Sequence, residues 1–238
     1  MGYYRSYKYE TVDEKRAKAE ASLKQLKKKK QDIEPVVIEG RTLVKNWWGK
    51  SWNKNLESYA DYSNRIGRGR SYVRNGAVLD LKITQGSVHA LVQGSRKKPY
   101  KVIIEIDTLN SDNWKRITRL CNNRVASMET LINGKFPIEL QEIFTDKRFG
   151  LFPSPDEINF ECNCPDWAYM CKHVAAVLYG IGSRLDKDPL LFFELRGVDG
   201  KALIKKTMES KLKSMLKNAS KKSHREIEDK DIGDIFGL

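Results

Sequence analysis

Cysteine is scarce in this chain, at four of 238 residues, and three of the four fall within ten positions. A disulfide framework spread along the chain is therefore excluded, and the thiols read as one local cluster plus one leftover. Long apolar runs are missing as well. No stretch approaches the ~20 apolar residues that a membrane-spanning helix needs. The opening Met1-Gly2-Tyr3-Tyr4-Arg5 leads into charge rather than an apolar core, which reads against a secretory signal, and a cytoplasmic location is expected. No G-x-x-x-x-G-K-[ST] loop is present, so the chain is not expected to hydrolyse ATP as a P-loop enzyme. Acid is also in short supply: 44 Lys and Arg stand against 31 Asp and Glu, for a net charge of +13. Hydrophobic residues make up 40%, enough for a real core at this length.

The positive charge is concentrated. Residues 41–105 carry 13 basic and 4 acidic groups, a net +9, whereas residues 106–200 carry 11 and 14, a net −3. Residues 1–34 and 201–238 are each +4, with 10 basic and 6 acidic groups. Such polarity favours one surface that faces a polyanion, nucleic acid foremost, over a general gain in solubility.

Residues 13–30 read as a polar helix ending in Lys27-Lys28-Lys29-Lys30, a solvated arm that can also meet phosphates. Trp48, Trp52, Leu56 and Tyr59 follow helical spacing next to Trp47, which predicts a helix with an aromatic core face rather than a platform for bases. The run Asn64 to Gly76 interleaves Arg65, Arg68, Arg70 and Arg74 with glycines and Tyr72. Strands are predicted over 77–83, 87–93 and 100–106, the first two joined by the hairpin turn Gln85-Gly86. A second basic loop, with Arg96, Lys97 and Lys98, precedes the third strand. These seven cations are the candidate nucleic-acid contacts; the bland alternative pairs the arginines with the acidic later segment or with a protein partner. Residues 111–132 read as one helix closed by Asn133-Gly134, and a short helix runs from Pro137 to Phe144.

The chemistry-bearing signal is Cys162-x-Cys164-x6-Cys171-x-His173. On a strand over 157–161, positions i and i+2 share a face, so the Cys162 and Cys164 thiolates converge. Cys171 and His173 converge with them if Cys171 ends the loop and His173 sits in the first turn of a helix. Val174, Val177, Leu178 and Ile181 give that helix its apolar period, with Gly180 and Gly182 marking its end. Three sulfurs and one imidazole suit a structural Zn2+, and four protein donors leave no open position for catalysis. The competing reading, a redox pair plus a buried thiol, is weak, because Cys-x-Cys makes a poor disulfide. Trp167, Tyr169 and Met170 are expected to cover the ion, and zinc to hold residues 158–181 together. Cys121 reads as a small core residue. A metal-dependent nuclease built on Glu105 and Asp107, with Asp80 and Lys82 near, is the least favoured alternative.

This Cys3His pattern before Val174-Ala175-Ala176-Val177-Leu178 resembles the SWIM zinc finger. Trp47-Trp48-Gly49-Lys50-Ser51-Trp52, Arg68-Gly69-Arg70-Ser71-Tyr72, Val92-Gln93-Gly94-Ser95 and Gly150-Leu151-Phe152-Pro153-Ser154-Pro155 are similar to segments of the prokaryotic SWIM zinc finger proteins. The resemblance spans roughly residues 38–205 and implies a ββα zinc module, with Cys162, Cys164, Cys171 and His173 as ligands. It further implies a DNA- or protein-binding role, RNA standing second to DNA, and a Swi/Snf-type helicase partner. The expectation is thus an α+β protein: an antiparallel β-meander with helices plus the zinc module. Four segments are expected: a basic helical arm (1–37), an α+β domain (38–150), the zinc module (151–200) and a lysine-rich helix with a flexible tail (201–238). The protein is expected to be a non-enzymatic, nucleic-acid-binding accessory, or alternatively a pure protein adaptor. The closing Asp231 to Leu238 segment reads as a frayed end or a docking peptide.

Overall fold

The computed structural model describes residues 10–29, 32–58, 63–121, 128–135 and 137–219. Lys30, Tyr59, Phe136 and the 220–230 and 231–238 segments read above lie outside them. Helix α1 (Val12–Lys29) is polar, with only Ala19 buried. Its start is fixed by a reciprocal cap: the Glu14 amide donates to Thr11 Oγ1, and Glu14 Oε2 accepts from the Thr11 amide. Three lysines in its last turn oppose the partial negative charge there.

Helix α2 (Trp47–Ser58) buries Trp48, Trp52 and Leu56, as its spacing predicts. Both indoles satisfy their N–H: Trp48 Nε1 donates to the Leu131 carbonyl (2.7 Å) and Trp52 Nε1 to that of Leu178 (2.8 Å). The arginine–glycine run is a helix, α3 (Ser63–Arg74). A Cβ at Gly69 would stand 2.6 Å from the Ala175 Cβ, so glycine is what lets α3 lie directly on the helix that carries the histidine.

The meander forms as expected, with β1 (Val78–Thr84), β2 (Ser87–Val92) and β3 (Tyr100–Ile106). A fourth strand, β4 (Ile158–Cys162), pairs antiparallel with β3, giving the sheet order β1-β2-β3-β4. Its register sets Val102 opposite Cys162. Val88, Ala90, Val92, Val102, Ile104 and Ile106 point inward and are buried, while His89, Lys101 and Glu105 face out.

Of the expected helix over 111–132, the described residues form α4 (Ser111–Leu120) and α5 (Met128–Ile132), and 122–127 lie outside them. Cys121 caps α4 and is fully buried, so Ile117 and Leu131 reach the core from separate helices. The helix α6 (Ile138–Thr145) follows. Helix α7 (Lys172–Lys187) runs one turn past its expected end. Gly180 and Gly182 do not stop it; they give room to the Leu81 side chain and to Trp52 and Asn53, where a Cβ would meet atoms at 2.8 and 2.4 Å. Every residue from His173 to Ser183 is buried, under α2, α3 and the sheet. Helix α8 (Leu190–Leu195) adds Phe192 and Phe193 to an aromatic cluster with Trp48 and Phe144. Helix α9 (Gly200–Ala219) anchors through Leu203 and exposes Met208, Leu212, Met215 and Leu216.

One continuous core runs from Val36 to Leu203, through both the meander and the zinc segment. The helix that carries His173 is the central helix of that core. Arg196, 1% exposed, ties the sheet to the approach to β4: it donates to the Asp107 carbonyl (2.5 Å) and to Glu157 Oε1 (2.7 Å). Burial pushes the Glu157 carboxyl up, but the Arg196 and Ser154 hydrogen bonds outweigh it and hold the group below its ordinary value. Among the described residues no helix is long and apolar enough to cross a membrane.

Candidate metal centre

The four expected ligands come together. Cys162 ends β4, and Asn163 extends the pairing one step further: its amide donates to the Lys101 carbonyl, and its Oδ1 accepts from the Lys101 amide (2.9 Å). That clamp aims Cys164 at the same side as Cys162. Cys171 is the N-cap of α7 with extended backbone angles, and His173 follows in the first turn. His173 Nδ1 lies 3.9 Å from Cys162 Sγ and 3.8 Å from Cys171 Sγ. All four ligand atoms lie within 4.8 Å of one another. Zinc bonds of about 2.3 Å to sulfur and 2.0–2.1 Å to nitrogen put tetrahedral donors roughly 3.4–3.8 Å apart, so a small contraction seats the ion. The residues are positioned to bind zinc.

The thiol electrostatics show what a cation would do at this site. Cys171 is held down to about 4, chiefly by the hydrogen bond from Cys162, with His173 and the Val174 amide assisting against burial. The same hydrogen bond and burial push Cys162 far up, and burial raises Cys164. Three sulfurs this close hold one negative charge easily and resist three. A divalent ion removes that conflict, leaving a complex of net −1 that Lys172 and the α7 N-terminus offset.

Residues distant in sequence fix the imidazole. Tyr100 of β3 stacks on His173 at 4.4 Å between centroids, and Tyr72 of α3 meets it edge-on at 5.3 Å. Nε2 is buried without a hydrogen-bond partner, enclosed by the Gly94 backbone and the Tyr100 ring. The ring is thus held by packing, with Nδ1 facing the sulfurs. Burial pushes the Tyr72 hydroxyl up to about 12, so it stays neutral. Periodicity alone did not identify Tyr72, Gly94 and Tyr100 as neighbours of the site, although two of them fall in the runs quoted for the family resemblance.

The expected cover is only partly correct. Met170 and Ala168 are buried, and Tyr169 packs on Phe160 while its hydroxyl donates toward Asn159 Oδ1 (2.9 Å). Trp167 does not cover the site; it is 85% exposed. It points outward because its neighbours are fixed: Asp166 Oδ1 takes the Ala168 amide and the Arg65 guanidinium (3.1 Å).

The seven candidate cations divide. Arg65 is spent on Asp166, and Arg70 donates to Tyr179 Oη (2.8 Å) and Glu57 Oε1 (2.5 Å) while lying over the Tyr179 ring. Arg74 reaches the Arg41 carbonyl (3.2 Å) and remains exposed. Arg96 lies over the Tyr100 ring at 5.5 Å. Arg68, Arg96, Lys97 and Lys98 are exposed and make no ion pair among the described residues. The acidic alternative does not assemble. Asp80 sits opposite Leu91 and Glu105 opposite Ser87, four residues apart along β2, or about 13 Å. Asp80 accepts the Glu34 amide, Lys82 pairs with Asp32, and Asp107 lies beyond β3. Among the described residues the Cys3His set is the one group of possible metal ligands.

Residues 161–180 match the SWIM zinc finger. Over 163 residues the chain is 34% identical to an uncharacterized protein of Mycobacterium tuberculosis, covering 68% of this chain and 58% of that one. The match thus spans little more than half of that relative's length. No solved structure matches the chain.

Proposed function

We propose, from the match of residues 161–180 to the SWIM zinc finger, that the chain is a non-enzymatic accessory that binds nucleic acid, DNA before RNA. Its metal is structural: four protein donors fill a tetrahedral shell, and the ion pins β4 and the start of α7 together beneath the binding face.

One observation carries the reading. Two basic segments, separated in sequence by the hairpin, meet at His173: α3 through Tyr72, and the 94–98 loop through Gly94, next to Tyr100 at the start of β3. Arg68 of the first segment and Arg96, Lys97 and Lys98 of the second are exposed and make no ion pair among the described residues. Exposed cations carried on a packed base suit phosphate contacts, which need position more than depth. The Swi/Snf-type helicase partner is carried by the family resemblance. An adaptor role has one observation in its favour, the exposed apolar stripe Met208, Leu212, Met215 and Leu216 on α9. Work on the cytoplasmic nucleoid would accord with both.

The test is equilibrium binding of labelled DNA across a salt series. Each phosphate contact contributes a slope of about −0.9 in log affinity against log salt. The triple variant Arg68→Gln, Lys97→Gln, Lys98→Gln should bind more weakly and lower that slope by about 2–3, at unchanged zinc content. Salt-independent or absent DNA binding would remove the reading in favour of the adaptor. Affinity capture with and without nuclease then separates a direct helicase contact from a nucleic-acid bridge.

A further inference from the structure

Four tryptophans in this chain lie at 47, 48, 52 and 114 and pack into or against the core; Trp167 is the exception. An indole left 85% exposed forgoes the burial that drives the others inside. It is also not a loose surface residue. Asp166 and Arg65, whose side chains are only 13% and 17% exposed, lock the backbone before it. Ala168 and Met170, both buried, hold the chain after it. The indole therefore projects from a knuckle fixed at both ends, between the metal ligands Cys164 and Cys171.

Its surroundings state what it would meet. Arg65 of α3 binds the knuckle, and Arg68 lies three residues on, so on a neighbouring part of the same helix face, exposed and unpaired. Asp166 is paired with Arg65, and Arg68 makes no ion pair among the described residues. The one other exposed aromatic on the knuckle, Tyr169, turns its hydroxyl back onto β4. A protein-binding hot spot sits at the centre of an apolar patch ringed by polar residues. Here an exposed aromatic face is tied through Asp166 and Arg65 to a helix whose Arg68 is exposed, which matches a partner with a π-face and a phosphate. In a duplex those faces are already stacked, so the partner is a single strand.

We infer that Trp167 is a stacking platform for an unpaired base of single-stranded nucleic acid, whose backbone passes over Arg68. The inference rests on the nucleic-acid reading above and adds strandedness and a contact residue to it. Stacking is uncharged, so its loss lowers affinity without changing the salt slope, whereas loss of Arg68 changes both.

The experiment uses the zinc-loaded full chain, with zinc content measured in each variant as a control for folding. Binding is measured to oligothymidylate and oligouridylate of about 20 nucleotides, longer than a typical single-strand site of ~4–16, and to a duplex of the same length. Trp167→Ala should lose roughly tenfold on the single strands, with an unchanged salt slope and unchanged duplex affinity, and Trp167→Phe should keep most of the binding. The stronger of the two single strands tells DNA from RNA. Equal single-strand affinity of wild type and Trp167→Ala overturns the inference while the parent reading stands. A loss of the same size on duplex also overturns it. Normal single-strand binding with a lost helicase partner reassigns the indole to a protein interface and overturns it too. No binding by the wild type to any nucleic acid removes both readings.

Discussion

Gly94 is where the metal centre is most sensitive to a single methyl group. A Cβ placed there would stand 2.5 Å from Tyr100 Cε2 and 2.8 Å from His173 Nε2, against an ordinary contact of about 3.5 Å. Neither ring is a free end that can swing away. Tyr100 is 2% and His173 1% exposed, and the two are stacked on each other. Gly94→Ala must therefore move one ring by about 0.7–1 Å, while metal ligation tolerates roughly 0.2 Å. If Tyr100 yields, the stack that orients the imidazole is lost; if His173 yields, Nδ1 leaves the sulfurs. Overpacking of this kind costs about 1–3 kcal/mol. At roughly 2–4 °C per kcal/mol for a chain of this size, Tm should fall by about 2–12 °C. Disturbing the support of a ligand weakens metal binding by about 10–100-fold. The assays are thermal denaturation and zinc competition against a chromophoric chelator. Gly67→Ala is the control, because a Cβ there meets nothing within 4 Å, in the α3 helix. It should stabilise the protein by about 0.5–1 kcal/mol, the helix preference of alanine over glycine. A Gly94→Ala protein that melts and holds zinc like the wild type would refute the claim that packing fixes His173.

Three further outcomes are expected. Gly69→Ala puts a Cβ 2.6 Å from the Ala175 Cβ and 2.9 Å from its backbone carbon, so it should lower the urea midpoint by the equivalent of about 1–3 kcal/mol; an unchanged midpoint would show that α3 can lift off α7 freely. Arg196→Met strands the Glu157 carboxylate and the Asp107 carbonyl and should cost about 2–3 kcal/mol, the low end for a broken buried pair because Glu157 is 33% exposed. Glu157 is lowered in the folded state, so its contribution is complete above its ordinary value of 4.5 and is lost as pH falls through the lower folded value. Urea melts from pH 7 to pH 3 should therefore show a steeper acid loss in wild type than in the Arg196 variant, and parallel curves would count against the pair. Removing zinc with a chelator should raise hydrogen exchange across residues 163–171 and leave α7 protected, since every residue from His173 to Ser183 is buried; global unfolding would show that the core cannot hold it alone.

The metal ligands were legible because their geometry is local. Two cysteines at i, i+2 closing a strand and a Cys-x-His at a helix start converge whatever surrounds them, and the residue types name the ion. The same holds for the meander, the α2 aromatic face and the glycine turn at Gly86, each a matter of periodicity over a few residues. What the sequence alone left undecided were matters of partnership. Arg65 and Arg70 look like Arg68 in the chain, yet Asp166 lies 101 residues from the first, and Glu57 and Tyr179 lie 13 and 109 from the second. Gly180 and Gly182 look like a helix end until Leu81 and Trp52 arrive to need the space. Trp167 looks like a lid until its neighbours are fixed by contacts from elsewhere. Ligand identity is set by chemistry within ten residues, whereas burial, spent charge and exposed surface depend on which distant segments share one core. Only the packing of α3, the hairpin and β4 around α7 could decide those.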